Sequence, residues 1–155
     1  MEGCSTELLV INHLKPAGSK MPPFSLQTID HVVIRAVNAA ELVAFYVNAI
    51  GCKLAWDRPD LGLTHLEAGD AMVDIISIDG PLGSKGVSPA EGPGRNVDHV
   101  CLRIAPFDYD ALRVHFETFG IAIDPPQPRF GAQGRGLSIY LTDPEGNGIE
   151  FKESN

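Results

Sequence analysis

The sequence is short of positive charge. Among 155 residues, 12 Lys and Arg stand against 20 Asp and Glu, a formal net charge of −8. That balance lacks the basic footprint of a nucleic-acid binder and the polybasic segment that docks on anionic membrane. No run of 18 apolar residues occurs, so no segment reads as a bilayer-spanning helix. The N-terminal stretch lacks the basic n-region and full apolar h-region of a secretory signal. Cysteine is scarce too. Cys4, Cys52 and Cys101 are odd in number and far apart, which argues against a disulfide framework or a cysteine metal site. Cys101 reads as a small apolar filler in a strand, and the set fits a reducing, cytoplasmic setting.

What is present is a core. Hydrophobic residues make up 44% of the chain, enough for one domain or for two small modules sharing an interior. Residues 1–26, with "KPAGSKMPPFS", read as a flexible tail because Pro, Gly and Ser break regular structure. From Ile29 the pattern sharpens. "IDHVVIRA" is a β-branched strand whose alternation puts His31, Val33 and Arg35 on one face. A helix follows, with Asn38 as its cap and Glu41 completing an approximate capping box. Gly51 stops it, and strands are expected at 53–57, 62–68 and 71–78. Residues 80–96 read as a Gly/Pro linker. The order then repeats: a strand at 97–104, a helix after Asp108 and Asp110 that ends at Gly120, a short strand at 121–123, and two strands around "DPEG". "GAQGRG", 131–136, matches no phosphate loop and reads as a mobile lip of a pocket.

The chain is therefore strand-helix-strand-strand-strand, twice. "TIDHVVIRAVN" is echoed by "NVDHVCLRIAP", and His31/His99 and Arg35/Arg103 are each 68 residues apart. A lone strand histidine is most often a hydrogen-bonded structural residue; two at repeat-matched positions ask for a shared role. By contrast His115 reads as helix packing, and His13 lies in the tail.

On "IDHVVIRAVN…FYVNAIG", "VDHVCLRI" and "SIYLTDPEGNGIEF", the sequence resembles the vicinal-oxygen-chelate superfamily, the glyoxalase I, bleomycin-resistance and extradiol-dioxygenase group. The resemblance implies an α+β fold. Two βαβββ modules, about 27–79 and 97–155, form a cupped, barrel-like mixed sheet in one domain spanning 27–155. It implies one divalent metal ion, Zn, Ni, Co, Mn or Fe, held from the first and last strands of each module by His31, His99, Glu150 and Asp74. Imidazole and carboxylate donors suit such ions. Asp74 stands where relatives place Glu; being one methylene shorter, it is read either as a ligand or as an unliganded base. Glu150 or Asp74 would be the catalytic base. The resemblance also implies an anion contact at Arg35 and at its repeat mate Arg103, against which stands a plain surface role. Tyr140 is read as metal-adjacent or as core, and His65 as a substrate contact or an exposed histidine.

The implied function is that of a metal-dependent enzyme of the lactoylglutathione lyase type. It would act on a small substrate with vicinal oxygens by metal-assisted proton transfer, with glutathione or another thiol as possible co-substrate. Thiol transfer to an epoxide antibiotic, acyl-thioester epimerisation and ring-cleaving dioxygenation stay open within the enzyme class. The rival class is a metal-free, drug-sequestering protein of the bleomycin-resistance type. A homodimer is expected, with modules pairing within or between chains.

Overall fold

Alternating apolar residues and well-placed caps decide how this chain folds. The structure, a computed structural model, describes residues 23–86 and 95–154. Most of the expected tail and the middle of the expected linker lie outside the described residues. The first module runs β1 (His31–Ala36), α1 (Ala39–Phe45), β2 (Lys53–Arg58), β3 (Leu63–Ala68) and β4 (Ala71–Ser77). The second runs β5 (His99–Ile104), α2 (Tyr109–Glu117), β6 (Gln127–Gly131), β7 (Gly134–Thr142) and β8 (Gly148–Glu153). Each module folds into its own four-stranded mixed sheet, ordered β1-β4-β3-β2 and β5-β8-β7-β6. The first and last strands of each module lie side by side and parallel; the remaining pairings are antiparallel. This is the expected α+β architecture, with βαβββ written twice.

The helix starts follow side-chain chemistry. Asn38 Oδ1 accepts the Glu41 N–H at 3.3 Å while its Nδ2 donates to Glu41 Oε2 at 2.8 Å, closing the reciprocal cap. Asp108 caps α2 by accepting from the Ala111 N–H at 3.1 Å. The end of α1 differs from a plain stop: the chain continues through a π-helical turn, Tyr46–Ile50, before Gly51 at φ 88° releases it.

The second module departs from expectation in one place. Residues 121–123 form no strand; the second strand of module 2 is β6, which begins four residues after Ile123. Pro125 and Pro126 interrupt the backbone after Ile123, so Ile123 contributes by burying its side chain in the core rather than by ladder bonds. β6 pairs only with β7, and an edge place tolerates Pro128. "GAQGRG" is accordingly a tight hairpin, with Gly131 paired to Gly134 around a two-residue turn, and not a loose lip.

One face of each sheet packs on the helices. Ala36, Leu42, Tyr46, Leu66, Val73 and Ile75 of module 1 join Phe116, Ile139, Ile149 and Phe151 of module 2 in a single buried cluster. Polar contacts reinforce that junction. The Glu145 carboxylate accepts the Val37 and Asn38 N–H groups at 3.0 and 2.7 Å, and Tyr46 donates to Asp143 at 3.3 Å. His115 contacts the Ala49 carbonyl at 2.8 Å and packs against Phe116 and Phe119, the packing role read for it. The opposite face of each sheet, away from the helices, carries polar and ionisable side chains, some exposed and some buried.

Candidate functional site

The open faces carry the candidate residues. Ile34 and Ala36 of β1, like Leu102 and Ile104 of β5, point into the core, so alternation turns His31, Val33 and Arg35, and His99, Cys101 and Arg103, the other way. The ladders then assemble rows across each sheet. Val33 lies opposite Asp74, Asp74 opposite His65, and His65 opposite Trp56. In module 2, Cys101 lies opposite Glu150 and Glu150 opposite Tyr140. Asp74 and Glu150 thus hold register-equivalent places. Asp74 follows Gly69 by five residues and Glu150 follows Gly146 by four, and the turns absorb the difference: Gly69 and Asp70 alone join β3 to β4, whereas Asp143 to Asn147 join β7 to β8.

Both repeat histidines are oriented by the residue before them. Asp30 lies 2.6 Å from His31 Nδ1, and Asp98 lies 2.8 Å from His99 Nδ1. A carboxylate only accepts, so in each of these two pairs the ring Nδ1–H is the donor. His99 Nε2 lies 3.0 Å from Glu150 Oε2. The bond to Asp30 raises the His31 pKa above its ordinary value; partial desolvation opposes this, and the charge of Asp74 adds to it. These two aspartates were not singled out from the sequence, although the repeated Asp-His pair was its visible signal.

Asp74 is buried, at 5% exposure, and its Oδ1 lies 2.9 Å from His65 Nδ1 without the alignment of a hydrogen bond. A buried carboxylate oxygen with no aligned donor is costly unless a cation or proton meets it. The His65 ring stacks on Trp56 with centroids 6.0 Å apart, and the Arg58 guanidinium sits over Trp56 at 4.6 Å. Tyr140 meets His99 edge-on at 5.7 Å. Cys101 is exposed on this face, contrary to the apolar-filler reading. Desolvation, then the neighbouring Glu150 carboxylate, pushes its thiol up to about 11. Arg35 donates to the Gly83 carbonyl at 2.8 Å, tying the 3₁₀ turn Gly83–Lys85 to the first sheet. Arg103 is exposed beside Cys101.

The structure therefore gathers His31, His65 and Asp74 on one sheet and His99, Glu150 and Tyr140 on the other. Among the described residues, no three His, Cys, Asp or Glu side chains come together in one chain to hold a single ion. Each sheet presents imidazole nitrogens and carboxylate oxygens side by side. The side-chain chemistry on the two sheets suits a divalent cation: two imidazoles whose Nδ1 is engaged by an aspartate, a carboxylate beside His99, and an Asp74 oxygen without an aligned donor.

Comparison with known proteins agrees with the architecture. A "Glyoxalase domain-containing protein RDO1" of Mycosarcoma maydis is 28% identical over 128 residues, which are 82% of this chain and 68% of that protein. A solved structure from the mobile metagenome of V. Pseudocholerae, VPC_CASS1, superposes with a TM-score of 0.66 at 25% identity, covering 85% of this chain and 98% of that one. The lactoylglutathione lyase of Agrobacterium tumefaciens shares the fold at 22% identity and a TM-score of 0.59, over 86% of this chain and 96% of its own. The family described as Glyoxalase/Bleomycin resistance protein/Dioxygenase superfamily matches residues 28–151, and the chain belongs to it.

Proposed function

We propose that this protein is a divalent-metal-dependent enzyme that moves a proton on a small substrate bearing two neighbouring oxygens, as a lactoylglutathione lyase does. The observation that carries the reading is the pair of aspartate-oriented histidines at matched positions, each on the open face of its sheet and near a buried carboxylate. His31, His99 and Glu150 would hold the ion, and Asp74 would either join them or stand free as a base. When bound, the ion supplies Lewis acidity to the substrate oxygens, lowering the barrier to loss of a neighbouring proton. Glu150 and Asp74 are the carboxylates able to take that proton, and His65 beside Asp74 can carry it onward. Tyr140 and Trp56 wall the two faces with aromatic surface, while Arg103 offers a cation toward an anionic substrate group; Arg35 would share that task only by leaving Gly83.

The donor halves sit on different sheets, and both open faces leave apolar side chains in solvent: Val33 is 44% exposed, Trp56 58% and Tyr140 40%. A second copy of the chain would cover them. In the proposed homodimer, module 1 of one protomer faces module 2 of its partner, and each of two sites draws on both chains. A soluble thiol such as glutathione is the natural co-substrate for a hemithioacetal reaction.

Equilibrium dialysis of purified protein against Zn, Ni, Co, Mn and Fe(II), followed by elemental analysis, tests the reading. It predicts one ion per chain, lost in the His99→Ala and Glu150→Ala variants, and turnover of a hemithioacetal only by the loaded protein. A protein that takes up no ion, yet binds an aromatic drug in its cleft, would be a sequestering relative instead.

A further inference from the structure

Lys152 has no task in the proposed chemistry, yet it is among the most buried charged residues of the chain, at 4% exposure. It lies on β8 two residues beyond Glu150, hence on the same face and about 6.7 Å along the strand. Its ammonium has three N–H groups. Two donate to backbone carbonyls, Arg129 at 2.6 Å and Gly136 at 3.1 Å, beneath the β6–β7 hairpin. Among the described residues it has no carboxylate in ion-pair contact. The hairpin can close over it because two of its residues are glycine: a Cβ at Gly131 would come within 3.0 Å of Lys152 Cε, and one at Gly136 within 3.3 Å of Nζ. Beside it in the ladder lies Ser138, 1% exposed, whose Oγ has no hydrogen-bond partner among the described residues. On the other side lies Arg103. A buried lysine with no carboxylate in ion-pair contact among the described residues, and an orphaned buried hydroxyl, thus share one row next to the Glu150 row.

We infer that Lys152 and Ser138 form an anion-recognition subsite that takes the carboxylate of a small acid. The spacing of the rows places that carboxylate a few bonds from the atoms handled at Glu150. The enzyme's substrate class is then a small organic acid with a vicinal-oxygen group, recognised by its charge at the hairpin. This substrate assignment rests on the function proposed above; anion binding itself needs no metal.

The test is therefore run on metal-free protein. Backbone-amide NMR follows titration with glycolate and with its neutral counterpart glycolamide. Glycolate is expected to shift the Gly136, Ser138 and Lys152 amides saturably, and glycolamide to leave them in place. Lys152→Gln should weaken glycolate at least about tenfold, the scale of a lost charge-assisted hydrogen bond. Lys152→Arg should retain most of the affinity. Ser138→Ala keeps the lysine and its hairpin, and should weaken glycolate severalfold even if Lys152→Gln does not fold. Equal responses to the acid and the amide, no saturable response, or unchanged affinity in Ser138→Ala together with Lys152→Gln would overturn the inference. Its failure would leave metal stoichiometry untouched, and an absent metal would leave the glycolate result standing.

Discussion

At the scale of single residues, the central feature is orientation. An imidazole on a strand can present either nitrogen; Asp30 and Asp98 decide in favour of Nε2 by occupying Nδ1. Asp98→Asn keeps the shape but can present its amide N–H₂ to Nδ1 and so favour the wrong tautomer. Metal affinity should fall about 10- to 100-fold in that variant, the usual effect of losing such a partner. The circular dichroism spectrum should stay unchanged, because Asp98 is exposed; competition against a fluorescent chelator measures the loss. Tyr46 gives the corresponding prediction for stability. Its hydroxyl donates to Asp143 at 3.3 Å in the core, and Tyr46→Phe leaves that carboxylate with its donors from Glu145 and Asn147. The expected cost is about 1–2 kcal/mol in urea unfolding.

At the scale of elements, the strands and caps were legible because local chemistry dictates them. Alternation in "HVVIRA" and the Asn38–Glu41 pair each state their own structure, and the histidine repeat placed two strands in equivalent roles. β6 was not legible, since three prolines within four residues hide a strand signal, and its edge position is what admits Pro128. The equivalence of Asp74 and Glu150 was legible from the repeat, and ladder register fixes it despite their different distances from a turn glycine. Lys152 and Ser138 were invisible because what makes them notable is burial: Lys152 lies under a hairpin remote from it in sequence, and Ser138 beside it in the ladder that hairpin makes with β8. Asn38→Ala removes the α1 cap and should cost about 1 kcal/mol. Gly134, at φ 88° in the hairpin turn, should resist Ala substitution at a similar cost of about 1–2 kcal/mol. Thermal melts of the two variants check both figures, and Gly134→Ala should in addition weaken glycolate binding.

At the scale of the whole molecule, stability should decline on the alkaline side. Burial, then the charge of Asp143, raises the Tyr46 phenol far above its ordinary 10.0, and burial pushes the Cys52 thiol from 9.0 up to about 11. Groups with raised folded pKa values keep their protons in the fold while the unfolded chain gives them up. Their contribution is whole below pH 9 and is lost as pH climbs through 9–11 and beyond. Urea midpoints from pH 8 to 11 should fall, and the Cys52→Ala, Tyr46→Phe pair should flatten that fall.

The family fold was legible in the sequence; that His31 and Asp74 lie on one sheet and His99 and Glu150 on the other, without converging within one chain, was not, because it depends on how whole modules meet. The proposed metal site is therefore one shared between two chains. Mixing His31→Ala protein with Glu150→Ala protein, after brief dissociation and refolding together, tests this most directly. Each parent should bind no ion. In a random equal mixture half the dimers are mixed, and each mixed dimer regains one site with every ligand present, about one ion per four chains. Metal uptake near that value is the predicted result; a mixture that binds as little as its parents would contradict the shared site.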